Sequence, residues 1–148
     1  MKTWLAAAFV AMLATGPAFA QSDADVDGAI STLFGDPAPF VEAFDAIQDA
    51  VANDDPEAFA AWVSYPFKTT MDGEDYVLDT PEALAEHYEM LMTDDIRSAI
   101  VDQQYKDLFV NAEGVMFGNG QVWLSSICKD DACAEADVRI ITIQSTAQ

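Results

Sequence analysis

The sequence predicts an α+β fold in which N-terminal helices cover one face of a curved antiparallel sheet. Three observations predict it. Apolar residues recur at helical spacing through the first part of the chain. The last third reads as short strands separated by turn residues. An early strand pair flanks Asp72-Gly73, a strong two-residue turn signal. Helices first and antiparallel strands last is the pattern of a sheet with its helices segregated to one side.

Each element follows from its own residues. Residues 21–35 are small, polar and acidic, and read as a flexible acidic arm. Asp36-Pro37 then opens a helix, with an acid to cap and a proline whose missing N–H costs nothing in the first turn. Phe40, Phe44, Ile47 and Val51 line its apolar face, and Asn53 stops it. Asp55-Pro56-Glu57 repeats the cap-then-proline signal for a second helix carrying Phe59, Trp62 and Val63, and Pro66 ends that region. Residues 67–71 form a strand, and Tyr76-Val77-Leu78 returns after the turn. Thr80-Pro81-Glu82 starts a third helix lined by Leu84, Tyr88 and Leu91, with His87 beside them. Thr93 caps a short helix with Ile96, Ala99 and Ile100. The strands are Leu108-Phe109-Val110, Val115-Met116-Phe117, residues 121–127 and residues 138–143. Gly118-Asn119-Gly120 breaks or bulges the run between the second and third. Within residues 121–127, Val122 and Leu124 share one face and Trp123 points to the other.

Residues 1–20 read as a secretory signal peptide. Lys2 supplies the positive start, residues 4–13 the apolar run, and Ala18-Phe19-Ala20 a small-x-small cleavage site. The run is shorter than the roughly 20 residues that span a bilayer. Cleavage after Ala20 leaves one domain, residues 36–145, behind the acidic arm, and places it in the periplasm or outside the cell. In that oxidising setting Cys128 and Cys133 are expected to pair, gaining about 2 kcal/mol from so short a loop. Zinc is the weaker reading, because no His stands near them.

Hydrophobic residues make up 51% of the chain, which is a globular composition and not a disordered one. The charge is lopsided, with 26 acids, 6 bases and a net −20. Phosphate contacts need Lys and Arg, so nucleic acid and anionic membrane surfaces are disfavoured as partners. A small cationic ligand, a metal ion or a basic protein would be attracted. The plainer reading of the same charge is a solvated acidic surface.

Several segments together resemble the nuclear transport factor 2-like domain, the cone shared by ketosteroid isomerases and polyketide cyclases. They are residues 53–59, the strand pair about Asp72-Gly73, the helix start at Thr80-Pro81-Glu82-Ala83-Leu84, and the stretch 114–123. The Gly118-Asn119-Gly120-Gln121-Val122-Trp123 run and Tyr65-Pro66 also resemble a group of small exported bacterial proteins. The resemblance covers residues 37–143. It implies a cone with a pocket between sheet and helices, and homodimers that pair through the open sheet face. It implies no particular activity, because the fold hosts enzymes and non-enzymes.

Trp62, Tyr65, Tyr76, His87, Tyr88, Phe117 and Trp123 are the candidate pocket residues, for a small apolar ligand. Each reads equally as core. His87 is the one side chain that titrates near neutral pH and is the candidate general base, or else a hydrogen-bonded edge of the core. Asp23, Asp25, Asp27 and Gly28 resemble the opening of a calcium loop, but Phe34 stands where the bidentate Glu belongs. The Cys128–Cys133 loop, with Lys129, Asp130 and Asp131, is an acidic tip suited to blocking a basic exported enzyme. No nucleophile elbow, phosphate loop or dinucleotide fingerprint occurs. The reading is a non-enzymatic binding module without a cofactor. The alternatives are an isomerase or lyase using a pocket His or carboxylate, and an inhibitor or immunity protein.

Overall fold

The computed structural model describes residues 21–145; the signal-like segment lies outside them. The fold is α+β, with helices and two antiparallel sheets. Its first element corrects the sequence reading. Residues 21–35, expected as a loose arm, contain helix α1 (Asp23–Leu33), which buries Val26 and Ile30. Ser22 and Asp25 form a capping box at its start. The calcium-loop reading falls with the arm. Asp23 and Asp27 share one face of a helix while Asp25 turns away to accept from Ser22, and Asp27 already accepts from Tyr105, so the three do not ring one site.

Helix α2 (Ala38–Ala52) follows the Asp36-Pro37 signal, with the Asp36 carboxylate accepting from the Ala38 N–H at 3.0 Å. It stops at Asn53, whose side chain donates to the Asp49 carbonyl. Helix α3 (Pro56–Ala60) is capped by Asp55. It ends before Trp62 and Val63, which the sequence reading had placed on its face. Val63 instead forms a lone bridge to Ile140.

Strands β1 (Phe67–Met71) and β2 (Glu74–Leu78) form a two-stranded sheet. Asp72 and Gly73 both take positive φ, as a type I′ turn requires, and only residues tolerant of the left-handed region fit there. The helix expected after Thr80 is two pieces, α4 (Pro81–Glu86) and α5 (Tyr88–Leu91), broken at His87. Helix α6 (Asp94–Val101) is capped by Thr93, and a 3-10 turn (Tyr105–Asp107) leads to the strands.

Strands β3 (Phe109–Asn111), β4 (Gly114–Phe117), β5 (Val122–Cys128) and β6 (Ala136–Ile143) form a four-stranded sheet in sequence order. Gly118 to Gln121 is the tight connection between β4 and β5. The pairing shifts between Trp123 and Leu124, leaving Ile141 as an extra residue of β6. The two sheets touch where the Thr69 hydroxyl donates to the Ile143 carbonyl at 3.0 Å. The inward sheet row Val115, Phe117, Val122, Leu124, Ile140 and Ile143 packs into one core with the helical residues Phe44, Ile47, Phe59, Leu84, Tyr88 and Ile100.

Cys128 and Cys133 are disulfide-bonded across the β5–β6 tip. The tip is further held by the Lys129 N–H donating to Glu135 and the Cys133 N–H donating to Asp130. Reducing the bond is expected to cost about 2 kcal/mol. A lowered melting midpoint with unchanged helical circular dichroism checks this, since the bridge closes a hairpin end and no helix contacts depend on it.

Candidate functional site

The seven aromatic and His candidates do not surround one space. Phe117 is fully buried and Tyr88 nearly so. Phe117 stacks on Phe44 with centroids 5.3 Å apart, and Tyr88 meets Phe59 edge-on at 5.6 Å. Burial raises the Tyr88 hydroxyl above the ordinary tyrosine pKa, while the positive charge of Arg97 acts the other way. That hydroxyl has no hydrogen-bond partner among the described residues. Both rings are core.

Trp123 and Trp62 lie elsewhere. The register puts Phe109, Met116, Trp123 and Thr142 in one row across the outer face of the four-stranded sheet, opposite to the core row. Trp123 meets the exposed Phe109 edge-on at 6.4 Å. Trp62 is half-buried, with the Arg139 guanidinium 5.8 Å from its ring centroid.

Tyr65, Tyr76 and His87 belong to a corner where the β1–β2 sheet meets α3 and α4. His87 Nδ1 lies 2.8 Å from the Ala83 carbonyl, which can only accept, so Nδ1 carries the proton. Its ring sits 5.6 Å from that of Tyr76. Of the seven candidates, this pair is brought together in a half-exposed position, and among the described residues no carboxylate is hydrogen-bonded to the imidazole to orient it as a base.

The concave feature beside that corner was not anticipated. A cleft of about 630 Å³ lies between α3 and α4, lined by Pro56, Glu57, Pro81, Glu82, Ala85 and Glu86. Local sequence builds it. Both helices begin with a cap residue and proline, so Glu57 and Glu82 each fall in a first turn. Glu86 follows Glu82 by four residues and shares its face of α4. Hydrogen bonds from its own backbone N–H and from the Thr80 hydroxyl hold the Glu82 carboxyl below the usual range. Behind it the Tyr65 hydroxyl donates to the Ala60 carbonyl at 2.8 Å. Burial first, and then the Glu82 charge, push that phenol up to about 12. The cleft is therefore a recess lined by three acidic side chains, and the Tyr65 phenol near it stays protonated at all ordinary pH.

Two other clefts flank the core. One of about 640 Å³ runs from the β1–β2 turn past α5 to the end of β6, and holds Lys68, Thr70, Met90 and Thr142. The other, about 320 Å³, lies between α2 and α6 beside Arg97. Arg97 is bound to the Val51 carbonyl and to Asp54 at 2.9 Å, so its charge is already answered. None of these three clefts is lined by a candidate aromatic residue. At the disulfide tip, Lys129 pairs with Asp137 at 3.0 Å. Among the described residues, no helix is long and apolar enough to cross a membrane. No family profile, curated protein or solved structure matches the chain.

Proposed function

We propose that the protein is an exported, non-enzymatic binding module of the nuclear transport factor 2-like type, and that its partner presents a cationic group to the α3–α4 cleft. The observation that carries this reading is the convergence of Glu57, Glu82 and Glu86 on one recess between two proline-started helices. A net −20 chain draws cations over long range, and a recess walled by prolines and alanine focuses that field. The disulfide is consistent with an oxidising compartment. Support for binding over catalysis is chemical. Among the described residues no carboxylate is hydrogen-bonded to the His87 imidazole, and burial pushes the Tyr65 phenol up to about 12, far from a general acid's range at pH 7.

The probe is a heptalysine peptide, titrated calorimetrically at low salt. Replacing Glu82 and Glu86 together by Gln is expected to weaken binding about tenfold or more, and the affinity of the unmodified protein is expected to fall as salt rises. Asp130→Asn, at the disulfide tip, is the control and should leave affinity within about twofold. Equal losses for cleft and control variants would mean that diffuse surface charge holds the peptide, and the cleft assignment would be abandoned.

A further inference from the structure

Helix α1 rests on few buried side chains for its length. Its eleven residues bury two side chains, Val26 and Ile30. It packs chiefly on the 3-10 turn and on β3, one of the two edge strands of the four-stranded sheet. Two side-chain hydrogen bonds pin it: Gln21 Nε2 to the Leu108 carbonyl at 3.0 Å, and the Tyr105 hydroxyl to Asp27 at 2.8 Å. Gly28 lies within the helix, and so short a segment is not a stable helix without its docking contacts. Its C-terminal end runs into Gly35, whose φ of +94° glycine adopts freely.

The seam beneath α1 is polar, with the Tyr105 hydroxyl donating across it to Asp27. Burial, the bond to Asp27 and the charges of Asp27, Asp23 and Asp45 together hold the Tyr105 hydroxyl well above the ordinary tyrosine range. Those carboxylates therefore gather around one phenol, two from α1 and Asp45 from α2. Behind the phenol the Tyr105 ring meets Phe44 edge-on at 5.4 Å, and Phe44 stacks on Phe117.

We propose that α1 is a lid that swings out about Gly35 as one unit while the remaining fold stays closed, baring the Tyr105 side of the Phe44–Phe117 stack. The inference is independent of the acidic α3–α4 cleft, which lies on other helices.

Native-state hydrogen exchange of the intact protein, through a urea series below its unfolding transition, tests it. The α1 amides from Ile30 to Phe34 are expected to share one rate. That rate should exceed the β4 and β5 rates by about tenfold or more and depend weakly on urea. The strand amides should speed up steeply with urea. A merger of α1 with the strands in rate and slope overturns the lid, because α1 then opens only with the whole protein. A gradient of rates along α1 overturns it too, since that is fraying. In Val138→Ala, the strand amides should exchange faster and α1 should not. If that variant does not fold, the urea series on the unaltered chain decides by itself.

Discussion

Gly114→Ala is expected to cost about 3 kcal/mol, the upper end of what overpacking does. A Cβ at position 114 would run into the carbonyl oxygen of Leu124 on the neighbouring strand. That oxygen is backbone, and Leu124 is paired with Val115 on one side and Ile140 on the other. It cannot give way without disturbing the Val115–Leu124 pair of the β4–β5 ladder and the Leu124–Ile140 pair beyond it. The melting midpoint should fall by roughly 10 °C for a domain of this size. A midpoint within about 2 °C of the unaltered protein would mean that β4 and β5 do not approach so closely there.

Phe117→Ala has the second large effect. The ring is fully buried, stacked on Phe44, and flanked by inward residues of β4 and β5. Truncation removes its transfer free energy and leaves a cavity, together about 3–5 kcal/mol. Against a total of about 5–15 kcal/mol for a small domain, that is a large share. Urea denaturation checks it through the midpoint at constant slope. The result also bears on function. A side chain lining an open ligand pocket already lacks neighbours on one side, so its loss would cost far less. A change below about 1.5 kcal/mol would put Phe117 back on a pocket wall.

The chain announces its helix starts clearly. Asp36-Pro37, Asp55-Pro56 and Thr80-Pro81 each place a capping oxygen before a proline, and helices α2, α3 and α4 begin there. The Asp72-Gly73 hairpin is equally legible, because two consecutive positive-φ positions leave few residue choices. Helix α1 was not legible. Two buried side chains among acids, a glycine and β-branched residues give too faint a period, and its stability comes from contacts with Tyr105 and Leu108 some eighty residues away.

The spatial grouping of the candidate residues was hidden for a related reason. Local pattern assigns a side chain to a face but does not say which elements meet there. Alternation along β5 already set Trp123 opposite Val122 and Leu124, and the structure keeps it there, away from Phe117. Glu57 and Glu82 were legible as first-turn acids. Their convergence on one recess depends on how α3 packs against α4, which nothing in either segment encodes. The break at His87 was equally hidden, since Leu84, Tyr88 and Leu91 keep a helical period across it.

The outer rows of the four-stranded sheet carry a consequence of their own. Phe109, Asn111, Met116, Trp123, Ser125, Ile127, Arg139 and Thr142 project there, and Asp137, the carboxylate among them, is tied to Lys129 and Arg139. Glu57, Glu82 and Glu86 stand on the helices instead. A polycation that meets the sheet face finds its single carboxylate there already neutralised by two basic side chains, whereas the α3–α4 recess offers three acids at once.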